Sequence, residues 1–163
     1  MIIVKKNGYL EYKGFKFRCA LGRSGIKQKN KEGDNITPKG TYKILNIYYR
    51  KDRIRQIKSS IKKIKINKKM GWCDDTRSKY YNKQIKLPSK LGHEKLYRKD
   101  NIYDIVCVIN YNINPTLKGK GSSIFLHVAK KKYQNTRGCI ALRKNHLIKL
   151  LSLIKKNTKI KIA

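Results

Sequence analysis

Ser123-Ile124-Phe125-Leu126-His127-Val128-Ala129 alternates: Ile124, Leu126 and Val128 fall on one face, Phe125, His127 and Ala129 on the other. A period of two marks a β-strand. Twelve positions after His127, Cys139 follows in Thr136-Arg137-Gly138-Cys139-Ile140. A strand, a polar loop and a Gly-Cys turn can bring the thiol back to that strand's histidine.

Outward from this segment the pattern stays mostly extended. Tyr9 to Leu21 carries Phe15, Phe17 and Cys19 in alternation with Lys16 and Arg18, again a strand rhythm. Thr37-Pro38-Lys39-Gly40 reads as a turn, because proline presets φ and glycine tolerates the backbone angles a turn exit demands. A β-rich run, Thr41 to Tyr49, comes next, and Ile102 to Tyr111 reads as a strand buried on both faces.

Residues 53–66 are ambiguous. Ile54, Ile57, Ile61 and Ile64 recur at helical spacing, which would suit a basic amphipathic helix, whereas Ile64-Lys65-Ile66 alternates like a strand in a loop excursion. Asn145 is placed to cap a helix carrying Leu147, Leu150, Leu151 and Ile154, and Thr158 to Ala163 closes the chain as a strand. With no repeat and no Ser/Gly/Pro linker, residues 1–163 read as one mostly-β domain with one or two helices.

Lys and Arg number 42 against 9 Asp and Glu, so 42 − 9 gives a formal charge of +33. Such a surface attracts phosphates, anionic lipids and acidic glycans. The basic residues are spread along the chain, as AT-rich codon usage would spread lysine, isoleucine and asparagine, so charge alone does not define a nucleic-acid binder. No run approaches the roughly 20 apolar residues of a membrane-spanning helix. Met1-Ile2-Ile3-Val4-Lys5-Lys6 puts its short apolar run before the positive charges, the reverse of a secretory signal; as written the chain reads cytoplasmic, unless its start codon is wrongly chosen.

Cysteines stand at 19, 73, 107 and 139 and histidines at 93, 127 and 146, with no C-x-x-C pair and no zinc-finger spacing. No metal site is expected. Cys19 and Cys107 sit in apolar runs and read as small buried residues, Cys73 reads as structural, and His146 as a surface residue.

Cys139 and His127 carry the chemistry. A thiolate is the nucleophile, and a neighbouring imidazole takes its proton. Gly138 would let the backbone approach a substrate, and the amides of Gly138 and Cys139 could face a developing oxyanion. Spacing alone also allows a buried cysteine and a surface-loop histidine that never meet. Gly119-Lys120-Gly121-Ser122 lacks the spacing of a phosphate-binding loop and precedes a strand.

Gly121-Ser122-Ser123-Ile124-Phe125-Leu126-His127 with Thr136-Arg137-Gly138-Cys139-Ile140-Ala141-Leu142 resembles the catalytic signature of the L,D-transpeptidases, the YkuD-type domain. Gly22-Arg23-Ser24-Gly25, Glu32-Gly33-Asp34, Thr37-Pro38-Lys39-Gly40, Gly71-Trp72-Cys73-Asp74-Asp75, Tyr81-Asn82, His93-Glu94, Tyr103-Asp104 and Asn112 before Pro115 extend the likeness to a branch of short members. Arg137 stands where many members carry histidine, and Ala141 where many carry arginine or asparagine.

The resemblance implies a β-sandwich-like catalytic domain acting on the stem peptides of bacterial peptidoglycan. Cys139 would be the nucleophile and His127 the base, oriented by a backbone carbonyl, with no cofactor. Thr136, Arg137, Asn112, Trp72, Tyr81 and His93 would contact or wall the substrate, Arg137 by pairing with a carboxylate; Asp74 and Glu94 would be structural. Transfer to an amine gives an L,D-transpeptidase, and transfer to water an L,D-carboxypeptidase. A basic module for nucleic acid or anionic glycan is the rival from another class. A monomer with no obligate nucleic acid is expected, working in the cell envelope or periplasm despite the lack of a visible signal peptide.

Overall fold

The computed structural model describes residues 1–163, with fourteen strands and one α-helix. The first strands form an antiparallel meander: β1 (Ile2–Lys5), β2 (Tyr9–Tyr12) and β3 (Phe15–Ala20). Two short strands, β4 (Ile26–Lys27) and β5 (Thr37–Pro38), pair in parallel before the ten-residue β6 (Gly40–Tyr49). The expected turn at Thr37–Gly40 is therefore a strand, a one-residue break at Lys39 and the start of another strand. Pro38 fits there because it closes a two-residue edge strand, where its missing N–H costs little.

Strand β6 is the hinge of the architecture. Its first half pairs with β14 (Lys159–Ile162), its second half with β11 (Ile105–Ile109). From β11 the ladder runs through β12 (Phe125–Val128), β13 (Ile140–Leu142), β3, β2, β1 and β14, and so returns to β6. The nine-stranded sheet thus folds over onto itself, with β7 (Lys63–Lys65) attached beside β6. Inside lies a cluster of 27 buried residues that includes Ile2, Leu10, Phe17, Ile47, Leu126 and Ile160.

Burial on both faces holds for β11. Ile105, Cys107 and Ile109 enter the main core, while Val106 and Val108 join a second cluster with Tyr48, Trp72, Leu96, Tyr103 and Phe125. That second core lies beneath a small sheet of β8 (Met70–Cys73), β9 (Gln84–Lys86) and β10 (His93–Lys95), ordered β10-β8-β9. Strand β12 shows the same division, with Leu126 and Val128 on the main core and Phe125 on the second.

The helix α1 (Lys144–Leu153) buries Leu147, Leu150 and Leu151. It starts two residues earlier than expected. Arg143 occupies the cap position without a side-chain bond, and Asn145 lies inside the first turn, where its Oδ1 accepts from the His146 amide at 2.9 Å. His146 is half-buried, its ring centroid 5.4 Å from that of Phe17.

Residues 53–66 form no α-helix. Ile54, Ile57 and Ile61 are buried in the main core as an irregular segment, and Lys63–Lys65 pairs with β6. No helix is long and apolar enough to cross a membrane. All four cysteines are free thiols.

Candidate active site

Strands β12 and β13 run parallel, with Leu126 opposite Ile140 and His127 opposite Ala141. One step back along that register, Cys139 comes level with Phe125, whose amide donates to the Cys139 sulfur at 3.4 Å. Residues paired across a ladder share a face. Cys139 therefore stands on the His127 face, packed against the second core. The expectation that the loop returns the thiol to the histidine's strand is met. Ala141, only 1% exposed, fills the place beside His127 and reaches no open surface.

His127 is buried, and its Nδ1 lies 2.9 Å from the Val128 carbonyl oxygen. A carbonyl can only accept, so Nδ1 carries the proton and Nε2 keeps the basic lone pair. The Tyr103 ring meets the imidazole edge-on at 5.5 Å and is itself set edge-on to the Phe125 ring at 5.9 Å, which fixes the imidazole plane. Burial pushes His127 down to about 4, against the opposing bond to Val128. The imidazole is therefore neutral at pH 7.

The Cys139 thiol donates to the Ser123 carbonyl at 3.1 Å and makes no hydrogen bond to His127. Burial, with the nearby Glu94 carboxylate adding to it, pushes the thiol up to about 12. The resting pair is thus a neutral thiol and a neutral imidazole, not an ion pair.

The loop before Cys139 is tied on both sides. Arg23 donates its amide to the Thr136 carbonyl at 3.0 Å, and Thr136 donates its own to Leu21 at 2.9 Å. Thr136 Oγ1 donates to the Cys139 carbonyl at 2.6 Å and accepts from the Gly138 amide at 3.1 Å. Of the two amides expected to face an oxyanion, that of Gly138 is thus already occupied, whereas that of Cys139 has no partner within the chain. Gly138 has φ +133°, and a Cβ there would stand 2.8 Å from the Ile36 carbonyl oxygen. Arg137 is exposed beside this loop.

The residues expected to wall the cleft divide. Trp72 and Tyr81 are buried and bond inward: Trp72 Nε1 donates to Asn82 Oδ1 at 2.9 Å, and the Tyr81 hydroxyl donates to Glu32 at 2.5 Å. Asn112 directs its amide to Leu117 and Gly121, closing its own loop. The polar atoms of these three are thus engaged within the chain. His93 bonds to the Leu91 carbonyl and lines a cavity of about 580 Å³ with Lys68, Lys69, Lys95 and Tyr97, a lining that does not include Cys139.

Glu94 accepts from the Tyr103 hydroxyl, and burial raises its carboxyl above the usual range. Burial also raises Asp74, with Glu32 adding to the effect. Sequence reading assigned no role to Glu32, Ser122 or Ser123. Yet Ser122 donates to Glu32 at 2.7 Å, and the Tyr81 hydroxyl accepts from the Gly121 amide at 2.9 Å. The link spans 90 residues of sequence, and only the Gly-Ser-Ser run beside the histidine strand hinted at it. No group of three or more His, Cys, Asp or Glu side chains converges as metal ligands would.

Comparison with known proteins matches residues 1–162 to the family model of the YkuD L,D-transpeptidase catalytic domain. Among solved structures, L,D-transpeptidase 1 of Mycobacterium tuberculosis is similar over 99% of this chain, at 10% identity and a TM-score of 0.44. The chain spans 58% of that structure's length. No curated protein matches.

Proposed function

Because the chain belongs to the YkuD L,D-transpeptidase catalytic-domain family, we propose that it processes peptidoglycan stem peptides through a thioester on Cys139. The supporting observation is the placement of Cys139 and a neutral, Nδ1-anchored His127 on one face of adjacent parallel strands.

In this reading Cys139 Sγ attacks the carbonyl after the third stem residue. The thiol proton passes to His127 Nε2, and the imidazolium returns it to the departing amine of the terminal D-amino acid. The unpartnered Cys139 amide is a donor for the tetrahedral oxyanion. An amine from a second stem then attacks the thioester, freeing the thiol and forming a cross-link. Water in its place gives a carboxypeptidase. Exposed Arg137 is the candidate partner for a substrate carboxylate. In this reading the protein works in the cell envelope.

The test is intact-protein mass spectrometry after incubation with a disaccharide-tetrapeptide, with Cys139→Ala alongside. An adduct on wild type alone, with release of the terminal D-residue, supports the thioester, and the product ratio separates cross-linking from hydrolysis. The charge of +33 favours a second reading, a polyanion-binding module. That module would bind nucleic acid or acidic glycan with steep salt dependence and be indifferent to Cys139→Ala.

A further inference from the structure

Ser123 is held in an uncommon state. It lies at φ +53°, in the left-handed region that costs a non-glycine residue strain, and it is buried. Its hydroxyl oxygen is buried without a hydrogen-bond partner. Its carbonyl accepts the Cys139 thiol at 3.1 Å. Its amide donates to Asn82 Oδ1 at 3.1 Å.

Asn82 is itself left-handed, at φ +57°, and buried. All of its side-chain polar atoms are engaged. Oδ1 also accepts from Trp72 Nε1 at 2.9 Å, and Nδ2 donates to the carbonyls of Tyr111, at 3.2 Å, and Asn112, at 2.9 Å. One rigid amide therefore joins β8, the loop after β11 and the approach to β12, and it grips the residue that grips the thiol.

We propose that Asn82 is a positioning residue for Cys139: it holds Ser123 left-handed, so that the Ser123 carbonyl keeps the resting thiol protonated and turned away from His127. A hydrogen bond to the neutral form disfavours ionisation, and the same oxygen repels a thiolate; of the other groups facing the sulfur, Glu94 also opposes the thiolate, while Lys29 and the Phe125 amide favour it. Once the proton leaves, the contact turns from attractive to repulsive and drives the sulfur outward. The strain at Ser123 is the cost of this latch. The inference rests on Cys139 being the reactive group of the reading above, but its test uses no peptide substrate, so the two fail separately.

The experiment is the pH dependence of iodoacetamide alkylation at Cys139, the one cysteine that is not buried. Asn82→Gly keeps the left-handed backbone available but removes the amide. Its alkylation midpoint should fall by about one pH unit, a roughly tenfold faster reaction at fixed pH below the midpoint. Ser123→Val, which a β-branched side chain expels from φ > 0, should shift the same way. Ser123→Gly accepts φ +53° without strain, keeps the carbonyl and should titrate like wild type. Folded Asn82→Gly and Ser123→Val with wild-type midpoints would overturn the proposal.

A second measurement needs only wild type and Cys139→Ser. Their infrared difference spectrum isolates the Cys139 S–H stretch. Displacement to lower wavenumber than an unbonded thiol supports the latch, and an unbonded position overturns it.

Discussion

Gly22 and Gly138 lie back to back: a Cβ on Gly22 would stand 3.0 Å from the Gly138 Cα and would collide with the Asn35 carbonyl oxygen. The loop that presents Cys139 thus rests on bare backbone. Gly22→Ala should displace it, and Gly138→Ala should do so too, since φ +133° and the Ile36 carbonyl both resist a side chain. Each should destabilise by about 2 kcal/mol or more. Thermal unfolding checks this, with Gly14→Ala as the control for backbone strain without a clash, because φ is +80° there and nothing lies within 4 Å of a Cβ.

Cys139→Ala should abolish acylation while near-UV circular dichroism stays native. His127→Ala should slow acylation by about 10² to 10⁴, the usual contribution of a positioned base. Single-turnover mass spectrometry measures both. Unchanged turnover in either variant would remove that residue from the mechanism.

The pH dependence follows from His127. Its folded value of about 4 lies below the ordinary 6.5, so between these values the unfolded chain binds the extra proton. This contribution to stability is complete above about pH 6.5 and is lost as pH falls towards 4, by at most about 1.4 kcal/mol per unit. Urea midpoints at pH 7 and pH 5 should differ more for wild type than for His127→Gln. The acid limb of kcat/KM should also lie near 4, well below that of a solvent-exposed histidine.

Asp104 is fully buried and takes Arg53 Nη1 at 2.9 Å, with the Lys144 ammonium 2.7 Å away. It fastens the irregular 53–66 segment and the start of α1 to the entry of β11. Asp104→Ala removes the carboxylate from Lys144 and leaves Arg53 with the Lys99 and Asp100 carbonyls, and should cost about 1.5–3 kcal/mol, read from denaturant midpoints. A loss below about 1 kcal/mol would show the pair to be dispensable.

Much of the site was legible where the signal was local. The alternation over 123–129 assigned Leu126 and Phe125 to opposite faces, and the two faces meet two different cores. The leucine stripe of α1 was equally plain. Residues 53–66 stayed open between a helix and a strand-and-loop excursion because isoleucines at helical spacing also suit an irregular segment pinned by tertiary contacts, which is what forms. Arg53 bonds to the carbonyls of Lys99 and Asp100, and Ile54, Ile57 and Ile61 drop into a core built by other strands. Trp72, Tyr81 and Asn112 were named as cleft residues for their chemistry, but their polar atoms have partners 5 to 49 residues away. Asn82 and Ser123 gave no periodic signal, because their roles depend on backbone handedness and on a contact 41 residues apart.

The circuit of strands closes through β14, whose Ile160 and Ile162 are buried between β1 and β6. On the ribosome, β1 emerges more than 150 residues ahead of its eventual neighbour β14. Until then the edges of β1 and β6 stand open, each offering unpaired amides and carbonyls to any passing strand. Closure comes only when residue 162 clears the exit tunnel. The nascent chain is therefore a natural client for chaperones, and truncations ahead of β14 should aggregate rather than form a smaller version of the fold.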